Sequence, residues 1–279
     1  MRVFRATKLI MLCFVTLTLT GCLSSSRIEL NRAKELLSQK KASEAVALYE
    51  KIIERESQKS TIGKESPELI EAALEAAQIQ QYELKNFKRA LSHLQLIIQQ
   101  SRSSNQRRTA QQRVAMLYLN DLQDFDRAIA ELSKLLTLPM SSAEEIDWRH
   151  QLARAYYYKG DYTQALIEIE QQLRLEGLGR EDRYKTRLLE ANILVAAKDH
   201  ERASKVMTQM IQDEPERAEQ DQIHLMLAVS YEERRDFLQA IAVLESIQDR
   251  DPRKAFIEEK IRSLRERQSQ QPGARGFRK

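Results

Sequence analysis

An alanine returns along this chain at nearly constant spacing, and that repetition restricts the available folds more than any other feature. The alanines are Ala45, Ala90, Ala128, Ala165, Ala203 and Ala240, with gaps of 45, 38, 37, 38 and 37 residues. Around them runs one frame: Asp, an aromatic, two variable residues, Ala, then apolar residues at helical spacing. It reads GDYTQALIEIE from Gly160 and RDFLQAIAVLE from Arg235. QDFDRAIAEL from Gln123 and KNFKRALSHL from Lys85 follow it. KDHERASKVM from Lys198 puts His200 in the aromatic slot, and KASEAVALY, ending at Tyr49, is a looser copy. Each unit reads as a helix, a short turn and a second helix.

Upstream of the turn a second frame recurs as LARAY from Leu152 and LAVSY from Leu227, more weakly as EANIL from Glu190. Pro215 and Pro252 each fall 12 residues after the second-helix alanine. Together the frames resemble the tetratricopeptide repeat, Leu-Gly-x-x-Tyr, then Ala-x-x-x-Phe, then Pro. The resemblance spans about residues 28 to 252 and implies an all-α, TPR-like helix-turn-helix solenoid of about six repeats. It departs from the family in its period, 37–38 residues against 34, and in the tryptophan slot, one residue beyond Trp148.

The small side chains have a packing reason. Ala153 and Ala165 let paired helices approach, while Leu152, Tyr156 and Ile169 fill the surrounding space. One pair leaves an apolar face that the next pair covers. The 45-residue gap holds seven or eight extra residues, placed in ESQKSTIGKES before a helix start at Ser66-Pro67. Ser141 and Glu144 predict a capping box. RKAFIEEKIRSLRERQ, after Pro252, predicts an amphipathic helix capping the last apolar face.

The N-terminus is of another kind. Arg2, Arg5 and Lys8 precede an apolar run from Leu9 to about Leu19. That is too short for a helical span, which needs about 20 residues, and suits a secretory signal peptide. It ends in Leu19-Thr20-Gly21-Cys22, which resembles the lipobox of bacterial lipoproteins. The resemblance implies a signal peptide over 1–21, recognition through Leu19, Thr20 and Gly21, and lipidation of Cys22. Cys13 leaves with the signal, so the remaining cysteine has no disulfide partner. Leu23, in place of the Asp that retains such proteins at the inner membrane, implies an outer-membrane anchor with the body in the periplasm of a two-membrane cell. Residues 22–27 are expected to be the lipidated cysteine and a short tether, the tether from Leu23 to about Arg27 reaching at most ~18 Å when extended. The solenoid is expected over 28–270 and a disordered basic tail over 271–279.

Composition excludes several functions. The formal charge of +4 loses three units with the signal, and a near-balanced chain gives no support to nucleic-acid binding. GLG at Gly177 has no preceding strand and is no phosphate loop, and His93, His150, His200 and His224 are scattered, without metal-ligand spacing. No enzyme activity, cofactor, metal or small-molecule substrate is expected.

Binding is the remaining function. In the resembled family the first helix of each unit lines a concave groove. Carried onto this chain, that places Tyr82, Asn120, Arg154, Tyr157, Tyr158 and Asn192 in the groove, with Tyr156 in the core. Tyr157 and Tyr158 are equally compatible with packing against the neighbouring unit. Tyr and Arg are frequent binding anchors. The expected partners are other envelope proteins, besides the membrane reached through the N-terminal lipid. The plan resembles the repeat lipoprotein of the outer-membrane β-barrel assembly machine and the type IV pilus pilotins. The resulting expectation is an adaptor in assembly of an envelope complex. An adaptor for peptidoglycan enzymes and a structural lipoprotein without a specific client remain alternatives.

Overall fold

All six frame alanines are fully buried, and each is the fourth residue of an α-helix. This is seen in a computed structural model that describes residues 25–59 and 66–271. Leu19, Thr20, Gly21 and Cys22, residues 60–65 of the expected insertion and the tail beyond 271 lie outside the described residues. The described residues form 14 α-helices and one π-turn, with no strand among them. The fold class is all-α, a TPR-like solenoid.

The chain divides into two compact units, 1–122 and 123–279. The first contains α1 (Ser25–Ser38), α2 (Ala42–Lys59), α3 (Pro67–Tyr82), α4 (Phe87–Gln100), α5 (Ser104–Met116) and the π-turn Leu117–Asp121. The second contains α6 (Phe125–Leu136), α7 (Ser142–Lys159), α8 (Tyr162–Leu173), α9 (Arg180–Ala196), α10 (His200–Asp213), α11 (Pro215–Gln220), α12 (Ile223–Glu233), α13 (Phe237–Ile247) and α14 (Lys254–Ser269).

The turn inside each repeat has a common local cause. Lys40, Lys85, Gln123, Gly160, Lys198 and Arg235 adopt left-handed backbone, with φ between 52° and 86°. In five of the six an Asn or Asp follows and caps the next helix. Asn86, Asp124, Asp161, Asp199 and Asp236 each accept the backbone N–H three residues ahead. The outgoing helix is closed as well: Gly160 N–H donates to Tyr157 O at 3.0 Å and Asp161 N–H to Tyr156 O at 2.9 Å. This Schellman pairing recurs at Lys40/Lys41, Lys198/Asp199 and Arg235/Asp236. The frame's Asp is therefore a cap, and its alanine lies one helical turn further, on the buried face.

Seams follow the repeats. In the first unit Leu30 and Ala33 of α1, Ala45, Tyr49 and Ile52 of α2, and Ala72 and Ala76 of α3 form one core. In the second unit, Ala153, Ala165, Ile169 and Ile193 join α7, α8 and α9. Leu194, Ala203, Met207 and Leu227 join α9, α10 and α12. Phe237, Ala240, Ile257, Ile261 and Leu264 join α13 to the capping helix α14. Each core is a helix pair plus the next first helix. Burying one such Leu, Ile or Phe contributes about 1.5–3 kcal/mol.

Several local expectations are met: Ser66 caps α3 with Pro67 in its first turn, and Ser141 and Glu144 form a reciprocal capping box. Others change. Helix begins at Ser25, inside the stretch 22–27 expected as tether. Arg27 reaches Glu71 at 2.6 Å, and buried Ser26 bonds Glu56, which fixes that first turn. Pro215, which fills the proline slot of the frame, starts the extra helix α11. No helix among the described residues is long and apolar enough to cross a membrane.

Candidate functional site

The first helices α7 and α9 carry all four expected groove residues of the second unit. On α7, Arg154, Tyr157 and Tyr158 come together. The Arg154 guanidinium lies 5.7 Å from the Tyr158 ring centroid, and the Tyr157 and Tyr158 centroids are 5.3 Å apart. Phe125 of α6 adds a ring 5.7 Å from Tyr158. Tyr158 is 49% exposed, whereas Tyr156 and Tyr157 are half-buried against the Ala153–Ala165 core. Burial, with Tyr162 and Tyr158 beside it, pushes the Tyr157 hydroxyl above its ordinary range. Tyr158 is thus the member of the triple that presents most of its ring to solvent. Asn192 is half-buried on α9, between fully buried Ala191 and Ile193.

In the first unit Tyr82 is 59% exposed at the end of α3, and Asn120 is exposed in the π-turn. Their chain neighbours meet: Gln81 Nε2 donates to Asp121 Oδ2 at 3.0 Å. That bond ties α3 to the π-turn and brings both candidates to one region of this unit.

A cleft of about 290 Å³ opens between α7 and α9. Asp147, His150, Gln151 and Arg154 line it from α7, Asp182 and Lys185 from α9. Beneath it lies Gln172 of α8, 1% exposed, whose Nε2 donates to Ile146 O at 3.1 Å. That bond leaves Gln172 Oε1 buried without a partner. Burial pushes the His150 imidazole below its ordinary 6.5; Arg154 and Lys185 add to this, while Asp147 and Asp182 oppose it. Of the cleft, only Arg154 was among the sequence candidates. A signal was present, since Asp147, His150, Gln151 and Arg154 are a polar i, i+3, i+4, i+7 stripe on one helix face. Gln172 and Asp182 join them only through folding.

A second cleft, about 520 Å³, lies between α9 and α10. Two of its arginines are engaged, Arg180 by Glu214 and Arg187 by Glu190. Among the described residues no cluster of His, Cys, Asp or Glu has the make-up of a metal site.

Stacked helix pairs with half-exposed aromatic and arginine side chains on their first helices define a repeat scaffold suited to protein–protein interaction. Folds of this class are generally non-catalytic. Residues 223–253 match the family model described as tetratricopeptide repeat. The C-terminal part of a TPR repeat-containing protein from Cytophaga hutchinsonii is similar at 20% identity and a TM-score of 0.61, over 85% of this chain and 88% of that one. The apo form of RapI is similar at 12% identity and a TM-score of 0.57, over 88% and 72%. YrrB, described as a TPR protein with an unusual peptide-binding site, is similar at 16% identity and a TM-score of 0.51, over 77% and 97%. At these identities the likeness is one of fold. No curated protein matches the chain.

Proposed function

We propose that this chain is a lipid-anchored adaptor that holds a TPR-like scaffold at the outer membrane, facing the periplasm, and binds a segment of another envelope protein. Its client is a complex under assembly, of the outer-membrane barrel, secretin or pilus type. The observation that carries the reading is the order of parts: Leu19-Thr20-Gly21-Cys22, then helix from Ser25, then repeats to the end of α14. Two or three acyl chains on Cys22 would anchor the body stably, where a single chain is marginal. So early a helix start leaves few residues between lipid and scaffold, so the first repeat would work close to the bilayer. The exposed Tyr158 ring and the Arg154 beside it offer an anchor for a partner segment. The fold shared with YrrB makes a peptide-like ligand reasonable.

The test is capture of the full chain from gently solubilised envelopes, with Cys22→Ser as control and the partners identified. Barrel proteins or a secretin, lost in the control and weakened by Arg154→Ala with Tyr158→Ala, are expected. Cell-wall enzymes retained in both forms, or capture of no specific partner, would overturn the assembly reading.

A further inference from the structure

The charges around the α7–α9 cleft are unequally committed. Arg154 Nη1 donates to Gln151 Oε1 at 2.5 Å and its guanidinium faces Tyr158. Lys185 reaches Glu181 at 3.1 Å. The carboxylates differ: among the described residues the Asp147 and Asp182 side chains have neither ion pair nor hydrogen bond. Below them the buried Gln172 Oε1 is an acceptor without a donor. Its identity as oxygen is fixed by the bond from Nε2 to Ile146 O. An unmet buried acceptor is costly and calls for a donor. Two free carboxylates above it favour a donor carrying positive charge.

We propose that this cleft receives a lysine or arginine side chain of the partner segment, its charged head between Asp147 and Asp182 and one N–H directed to Gln172 Oε1. This rests on the adaptor reading and adds the chemistry of one recognition position. The cleft's volume suits one side chain, not a fold or a helix. The partner is thereby expected to carry a cation at the position that meets α7 and α9.

The chain has one tryptophan, Trp148, adjacent to Asp147 on α7. Trp148 is not among the residues lining the cleft, so its emission in the full chain is read together with titration calorimetry of the same probe. N-acetyl-lysine methylamide is the probe and N-acetyl-glutamate methylamide the control. The lysine probe is expected to change Trp148 emission saturably, and the glutamate probe to leave it unchanged. Asp147→Asn with Asp182→Asn should move the half-point by about tenfold or more; neither side chain is in a core, so this variant folds. Gln172→Leu, with the carboxylates kept, should weaken the probe too. No saturable change, an equal response to the glutamate probe, or an unchanged half-point in the aspartate variant overturns the proposal. The probe needs no partner. Its failure with capture intact removes this inference alone, whereas probe binding with capture absent supports the cleft and removes the adaptor reading.

Discussion

The Arg217 guanidinium lies 3.9 Å from the centroid of the Tyr184 ring. It stacks the extra helix α11 on α9, and the same group pairs with Glu181. Hydrogen bonds first from Arg217 and then from Lys185 hold the Glu181 carboxyl down at about 2. Arg217→Ala is expected to destabilise by about 1–2 kcal/mol, mainly through the lost stacking. Arg217→Lys should recover less than half, because a planar guanidinium stacks where an ammonium does not. Urea unfolding measures both, and hydrogen exchange over α11 should accelerate in each. Equal stability of the two variants and the parent would remove this account of how α11 is held.

The frame alanines predict a size limit. Ala240 is fully buried where α13 meets α14. Ala240→Leu should cost about 1–3 kcal/mol by overpacking, read as a lower melting temperature. Leu238→Ala, at an exposed position of the same helix, should change little.

Left-handed turns make a prediction of opposite sign. Lys198 has φ of 60°, a conformation glycine reaches without the Cβ penalty. Lys198→Gly should therefore stabilise by about 0.5–1 kcal/mol, the penalty removed exceeding the chain entropy added. Gly160 shows the converse: a Cβ there meets nothing within 4 Å, so Gly160→Ala should cost about 1 kcal/mol from backbone strain alone. Paired thermal melts decide both, and a destabilised Lys198→Gly would sink the argument.

Acid should weaken the fold before the carboxylates titrate. Burial pushes His93, His150 and His224 below 6.5. Glu50 opposes this at His93, and Glu219 opposes it at His224. A depressed folded value means the fold favours the neutral ring. That stability is complete above about pH 6.5 and is lost as pH falls through the lower folded values. The melting temperature should hold above about pH 6.5 and fall as the pH is lowered below that value. His224→Gln should make the fall shallower, whatever its starting stability; an identical slope would exclude His224 from the effect.

Much of the repeat plan was legible because its signals are local. The Asp before each aromatic is a cap, and the Ala that follows faces the seam, so both recur with the period. Two features escaped, each for its own reason. Helix α11 has six residues, too few for a period, and its Pro215 occupies the proline slot of the frame. The π-turn at Leu117–Asp121 differs from ordinary helix by hydrogen bonding alone: Leu122 N–H returns to Leu117 O at 2.9 Å. The cleft was half visible. Its α7 stripe could be read from spacing, but Gln172 and Asp182 reach it from other helices, and Gln172 declares itself only through an unmet oxygen.

The Schellman joints carry a historical consequence. Every bond that closes the turn after Tyr158 comes from the helix it ends or the cap that begins the next. Such a joint holds no record of its neighbours. A lineage can therefore duplicate or delete a module of this length without rewriting a single corner. What selection must re-fit after each change is the pair of faces newly brought together, so the pace at which this architecture can lengthen is set at its seams.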